Sequence, residues 1–221
     1  MVANELKIPI EQGDLEAIGS LIDGRRELAD EEIRWGEGKK NASVPLQYTC
    51  DASFEGLLTK ENETEIVALL LDRGAGIDRI SSTMRDTPLI GAASLYLEDV
   101  GILLLDRGAN LHHRGTFGGT PLHWASWTGS SKLVERLLQF DLDLEETCDD
   151  FASTPLYWAV HGYVQGSERN RRRQVEVVRM LLGKGADPDT RNKESQPALA
   201  LVDPEREPEL FRMLSEAGAR L

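Results

Sequence analysis

The sequence predicts an all-α repeat solenoid, in which helix pairs stack on one another. A Thr-Pro-Leu motif recurs along the chain, and its prolines at 88, 121 and 155 lie 33 and 34 positions apart. A second landmark follows each motif, namely two adjacent aliphatic residues and then a Gly-Ala or similar step, as at 104–109. Two landmarks that recur in the same order indicate one structural unit repeated several times.

Each landmark has a structural meaning. Pro is favoured at the first position of a helix, where its missing N–H costs nothing, and the Thr before it is a good N-terminal cap. Aliphatic residues at i, i+1, i+4 and i+5, as at 133–134 and 137–138, give the second helix one broad apolar face. The Gly that follows ends this helix in a left-handed turn. Because one helix pair cannot bury both sides of its apolar surface, neighbouring units must stack.

The pattern resembles the ankyrin repeat, a unit of about 33 residues with a β-turn, two helices and a Thr-Pro-Leu-His-x-Ala signature. The match covers nearly the whole chain, although the signature His is present only as His123. The resemblance implies a single ankyrin-repeat domain over 1–221. Its parts are a degenerate N-terminal cap at about 1–43, four repeats at about 44–81, 82–114, 115–148 and 149–190, and a C-terminal cap at about 191–221.

Two of these units contain extra residues, at about 54–61 and 162–173. The first insertion begins Phe-Glu-Gly-Leu-Leu, and we expect it to extend a helix. The second, which we expect to be a loop, carries four arginines in the five positions Arg169 to Arg173. It could be a nuclear-import or nucleic-acid patch, a dock for an acidic partner, or a solvated loop that pairs with the protein's own carboxylates. We favour the last because one short cluster neutralises few phosphates.

Composition narrows the function. The 221 residues include 25 Lys and Arg against 38 Asp and Glu, a formal net charge of −13. A general phosphate-attracting surface needs an excess of cations, so we expect a basic protein partner and no nucleic acid. Two cysteines are too few for a disulfide framework. The longest aliphatic run, 66–71, is far shorter than the roughly 20 residues of a membrane-spanning helix. We therefore expect a cytoplasmic monomer with no membrane partner.

Motifs for catalysis are absent from the sequence. It contains no Gly-rich phosphate loop, no nucleophile elbow and no Cys–His pairing in a usable context. The adjacent His112 and His113 lack the ligand spacing of a metal site. We therefore expect a protein that is not an enzyme and that has no metal or cofactor.

Alignment of the units places Met84, Phe117 and Phe151 at one position, three residues before the Thr of each motif. In ankyrin repeats this position is the tip of the β-turn finger, so the resemblance implies a stripe of exposed apolar tips that contacts a partner. The alternative is that each side chain packs against the neighbouring hairpin.

A second set of candidate residues comes from the ends of the first helices and from the acidic turns. Trp127 and His161 hold corresponding positions, which in ankyrin repeats face the concave groove. Trp is enriched at binding hot spots, although Trp127 could instead pack between adjacent first helices. Asp86, Asp149 and Asp150 lie beside the finger positions and would attract a basic partner.

Two other tryptophans, Trp124 and Trp158, stand one position past the signature His, and we expect them in the seam between units. The resulting hypothesis is a non-catalytic protein-binding module that grips a basic surface of its partner with fingertips and groove. The alternative is a dedicated inhibitor of the immunity or antitoxin type, which occludes a cationic enzyme or toxin.

Overall fold

Each Thr-Pro motif begins a helix, as the sequence predicts. The computed structural model describes residues 4–166 and 168–221, with only the backbone described at 168–170. The chain divides into two units, the first ending at Asn110 and the second beginning at Leu111.

Among its described residues, the first unit contains three helix pairs and a short hairpin. Its described helices are α1 Lys7–Gln12, α2 Leu15–Gly24, α3 Pro45–Phe54, α4 Glu63–Asp72, α5 Pro88–Ser94 and α6 Glu98–Asp106. Strands β1 Ile33–Trp35 and β2 Asn41–Ser43 pair antiparallel, with Ile33 opposite Ser43. Helix α3 packs against α4 and α5, and α4 packs against α2 and α6. The aliphatic pairs of the sequence pattern supply the core, since Ile66, Val67 and Leu70 are fully buried.

The second unit, in the part that the structure describes, contains two further helix pairs and a last helix. Its described helices are α7 Pro121–Thr128, α8 Ser131–Leu137, α9 Pro155–Gln165, α10 Glu168–Gly183 and α11 Pro208–Ala217. The first helices α7 and α9 pack against each other, and α10 packs against α7, α8 and α9. The aliphatic residues 133–134 and 177–178 are fully buried, which confirms the predicted apolar faces.

Helix ends follow the predicted chemistry. The hydroxyl of Thr154 accepts a hydrogen bond from the backbone N–H of Tyr157 at 3.3 Å, and Thr87 caps α5 in the same way. Gly108 and Gly185 follow second helices with φ of 87° and 95°, the left-handed conformation that glycine adopts without strain.

His123 joins two successive repeats of the second unit. Its Nδ1 lies 2.8 Å from the Thr120 hydroxyl, and its Nε2 lies 3.1 Å from the carbonyl oxygen of Ser153. Since a carbonyl only accepts, Nε2 carries the proton and donates it. The repeat that follows has Tyr157 where the signature His would stand, and there the Thr154 hydroxyl lies 2.7 Å from that of Thr190.

The expectations for both insertions are wrong. Helix α3 ends at Phe54, because Gly56 turns the chain with φ of 68° and the N–H of Leu57 bonds back to Ala52. The segment 162–173 is mostly helical rather than a loop, since α9 continues to Gln165 and α10 begins at Glu168.

The arginine cluster therefore lies at the start of a helix. The guanidinium carbon of Arg171 lies over the ring of Tyr163, 5.4 Å from its centroid, and the Nη2 of Arg171 is 3.9 Å from Glu207. This contact is with one of the protein's own carboxylates. The side chain of Arg169 lies outside the described residues.

The hairpin at 33–43 is an element that the sequence pattern did not indicate. Its strands have three residues each, and a side chain distant in sequence holds the second strand. The backbone N–H of Ala42 donates to the hydroxyl of Thr83 at 3.0 Å, and that hydroxyl donates back to the Ala42 carbonyl.

Candidate functional site

Phe117 and Phe151 lie in two successive turns of the second unit. Their side chains are 41% and 43% exposed, and the two ring centroids are 5.4 Å apart. Each ring therefore reaches solvent and also packs on the neighbouring turn. Phe117 adopts φ of 58°, which is uncommon for a residue with a side chain.

Backbone hydrogen bonds fix these turns relative to one another. The N–H of Asp150 donates to the carbonyl of Phe117 at 3.2 Å. The N–H of Lys193 donates to the carbonyl of Phe151 at 2.8 Å, and its ammonium donates to the carbonyl of Asp150 at 2.8 Å. Three successive turns, at 116–118, 149–151 and 192–195, are thus connected by main-chain bonds.

A cluster of aromatic rings lies on the first helices beneath the turns. Trp127 of α7 lies 4.9 Å from the ring of His161 and 6.2 Å from Trp158, both on α9. Trp124 lies 5.1 Å from Trp158 and 6.1 Å from Phe117. Trp158 is buried in the seam as predicted, whereas Trp124 and Trp127 are half-buried. Trp127 both packs between first helices and reaches the surface.

The turns and first helices of the second unit line a cavity of about 350 Å³, which we call the aromatic cavity. This volume lies at the lower end of the range of about 300–1,000 Å³ typical of ligand sites. Its lining residues come from α7, α9, the turns that precede these helices and the segment 192–201: Phe117, Trp124, Trp127, Phe151, Ser153, Tyr157, Trp158, His161, Asn192, Gln196 and Leu201.

The aromatic cavity is lined by uncharged side chains and by His161. None of the described residues that line it is Asp, Glu, Lys or Arg. Burial lowers the pKa of His161 below its usual value, which favours the neutral ring at pH 7. Burial raises the pKa of Tyr157, and the charge of Glu194 raises it further.

The acidic residues beside the turns differ in their contacts. An Asp149 oxygen lies 2.6 Å from the Arg114 guanidinium, which also bonds Glu146 at 2.5 Å and the carbonyl of Thr147. The charge of Asp149 is therefore partly neutralised within the protein. Asp150 is exposed, and its described hydrogen bonds are made by its backbone.

Met84 and Asp86 belong to the first unit and do not line the aromatic cavity. The prediction that Met84 stands at a fingertip is wrong. Its backbone N–H bonds to the carbonyl of Ser81, so Ser82 and Thr83 form the tip and are exposed, while Met84 is half-buried. Asp86 is also half-buried.

Sequence reasoning missed part of the wall. It assigned no role to Tyr157, Asn192, Gln196 or Leu201, and it placed Trp124 in the seam alone. Tyr157 carried one usable signal, since an aromatic residue stood where the signature His was expected. Asn192, Gln196 and Leu201 lie beyond the last Thr-Pro motif, where the repeat pattern is weaker.

The described part of the chain has neither a membrane-spanning helix nor a cluster of metal ligands. None of its helices combines the length and hydropathy needed to cross a membrane. No group of three or more His, Cys, Asp and Glu side chains within it is arranged to hold a metal ion.

Comparison with known proteins identifies the fold and the repeat. Residues 96–192 match the family model described as ankyrin repeats (3 copies). The ankyrin-repeat domain of Bcl-3, a member of the IkappaB protein family, superposes with a TM-score of 0.70 at 22% identity, covering 97% of this chain and 86% of that one. An ankyrin-repeat domain from Acinetobacter baumannii gives a TM-score of 0.74 at 21% identity, covering 97% and 98%. The described chain therefore has the ankyrin-repeat fold, and residues 96–192 match the repeat itself.

Curated relatives match about half of the chain. The ANK repeat-containing protein nipk-1 of Caenorhabditis elegans is 32% identical over 114 residues, which are 49% of this chain and 18% of that protein. Rabankyrin-5 of Mus musculus is 31% identical over 120 residues, 50% of this chain and 10% of that protein. The chain thus spans less than a quarter of either relative. Ankyrin repeats are in general protein-interaction modules, and the matched family is not a catalytic one.

Proposed function

We propose that the chain binds a partner protein at the aromatic cavity of its second unit, with Phe117, Phe151 and Trp127 as anchors. The observation that carries this proposal is the partial exposure of large aromatic side chains around a cavity that is already formed. Exposed apolar patches of this kind mark interaction sites on soluble proteins. Trp and other aromatic residues are also enriched at interface hot spots.

The surroundings of the aromatic cavity favour a partner with a basic surface. The chain carries a formal net charge of −13, and the exposed carboxylates of Asp150 and Glu194 lie on the turns that form the rim. Such charges raise the rate of encounter with a basic surface more than they raise the affinity. Asp149 contributes less because Arg114 shares its charge. Asp86 belongs to the first unit, so its charge counts here only toward the net charge of the chain.

Binding is tested by capture from a native lysate with three forms of the chain: the wild type, Trp127→Ala and Phe117→Ala. Removing a hot-spot aromatic side chain costs about 2 kcal/mol or more, which is about thirtyfold in Kd. We expect a partner retained by the wild type to be lost from both variants. Phe54→Ala is the matched control, because Phe54 is 55% exposed but belongs to the first unit.

Urea denaturation of every variant shows whether loss of capture reflects loss of folding. Equal capture by the wild type, Trp127→Ala and Phe117→Ala would refute the proposal. Assaying the captured partner with and without the chain then distinguishes an inhibitor from a module that binds without inhibition.

A further inference from the structure

The walls of the aromatic cavity differ in orientation. Trp124 and Trp158 make an angle of 83°, and Trp127 makes an angle of 75° with the same Trp158 ring. Phe117 and Phe151 add two tilted rings from the turns above. Aromatic faces carry a negative partial charge and attract cations, with Trp the strongest of the three ring types. Three indoles around one cavity therefore favour a cationic occupant.

The charges around the cavity point the same way. His161 is the described lining residue with an ionisable nitrogen, and its burial favours the neutral form, so no fixed cation competes for the space. The carboxylate of Glu194 lies close enough to affect the ionisation of Tyr157 on the wall. Lys193, on the same turn as Glu194, brings a positive charge to the rim, so the rings supply the main attraction for a cation.

The number of N–H donors that a cation carries affects how well it fits the aromatic cavity. A lysine ammonium brings three N–H donors and an arginine guanidinium brings five, and each donor needs an acceptor once water is removed. Most of the lining is aromatic or aliphatic, and the side-chain oxygen of Asn192 already accepts from the backbone N–H groups of Glu194 and Gln196. A quaternary ammonium group has no N–H donor, so its entry leaves no donor unsatisfied.

We propose that the aromatic cavity binds a quaternary ammonium group, presented by the partner protein as a trimethylated lysine side chain. This inference rests on the proposed function, because it names the group that the same cavity accepts from its partner. The half-exposed rings of Phe117 and Phe151 offer an apolar surface at the rim for the methylene stem of the lysine. A volume of about 350 Å³ is sufficient for one side chain and its head group.

The inference is tested with four small probes on the full chain. They are Nα-acetyl-trimethyl-lysine methylamide, its neutral analogue with a tert-butyl head, the unmodified lysine compound, and tetramethylammonium chloride. Binding is measured from the NMR shifts of the tryptophan indole N–H signals. We expect the trimethyl-lysine probe to bind about tenfold more tightly than the neutral analogue, because only the charged head gains the cation–π attraction.

Each probe can overturn the inference. Equal binding of the tert-butyl analogue would show that the cavity recognises apolar shape rather than charge. Equal binding of unmodified lysine would show that methylation is not recognised. Tighter binding of tetramethylammonium would identify a free small cation as the ligand, and absence of any shift at the solubility limit of the trimethyl-lysine probe would exclude the site.

A pair of variants locates the effect. Trp127→Leu keeps an apolar side chain but removes the indole face, so it should reduce the preference for the charged probe over its neutral analogue by about fivefold. Phe54→Ala should leave that preference unchanged. If capture of the partner protein depends on Trp127 while the two probes bind equally, the proposed function stands and the inference fails. If capture does not depend on Trp127, the proposed function fails whatever the probes do.

Discussion

The stability of the second unit should fall as the pH falls from about 6.5 to 4, because of His123. Burial lowers the pKa of this ring from 6.5 to about 4. Between these values the unfolded chain binds a proton that the folded protein excludes, so the free energy of unfolding falls with pH. This contribution is fully present above pH 6.5 and is lost near pH 4. At about 1.36 kcal/mol per pKa unit the loss is about 3 kcal/mol.

The assay compares the wild-type side chain with His123→Gln, which cannot titrate. Both proteins carry Trp35→Phe, which leaves Trp124, Trp127 and Trp158 as fluorophores, all of them in the second unit. Urea unfolding is followed by tryptophan fluorescence between pH 7 and 4. His123→Gln should be less stable at pH 7, because the bonds to Thr120 and Ser153 are disturbed. Between pH 7 and pH 4 the free energy of unfolding should decrease in both proteins. The decrease should be about 3 kcal/mol smaller in the His123→Gln protein than in the protein that keeps His123.

The comparison isolates His123, since His161 and the carboxylates titrate in both proteins. Parallel stability curves for the parent and His123→Gln would refute the reasoning. They would mean that the folded protein protonates His123 as readily as the unfolded chain does.

Two further predictions concern packing and buried charge. Gly162→Ala should destabilise the protein by about 1–3 kcal/mol, because the new methyl group would meet the backbone carbonyl of Trp127. Gly183→Ala is the control, since a methyl group there meets no heavy atom within 4 Å. Urea midpoints should show loss for the first and not for the second. Burial raises the pKa of the Asp51 carboxyl, so its charged form costs stability above that pKa. Asp51→Asn removes this cost, so the variant should be at least as stable as the wild type at pH 7. The change in unfolding free energy caused by the substitution should be more favourable at pH 7 than at pH 3. A lower urea midpoint for Asp51→Asn at pH 7 would contradict this reasoning.

Local sequence signals predicted the repeat because each signal acts within one turn of chain. Thr120 and Pro121 fix the start of α7 through capping and the proline φ angle, and Gly108 ends α6 through its left-handed conformation. These effects need no distant partner. The same reasoning failed at the hairpin of β1 and β2, which depends on a bond from Ala42 to Thr83, 41 positions away.

The aromatic cavity was predictable only in part. Register along the repeats located Phe117, Phe151, Trp127 and His161, because equivalent positions face equivalent directions in stacked units. It could not locate Asn192, Gln196 or Leu201, whose positions depend on how the C-terminal segment packs against α9. It also could not show that Asp149 would meet Arg114, since that pair joins two neighbouring turns.

The main-chain bonds between the turns have a consequence for recognition. The bond from Asp150 to Phe117 and the bond from Lys193 to Phe151 hold the rim in place before any partner arrives. The rim turns then lose little conformational entropy when a ligand binds. A rigid binding site of this kind favours a ligand whose shape already matches it. Differences in affinity among related ligands should consequently come from their dissociation rates rather than from their association rates.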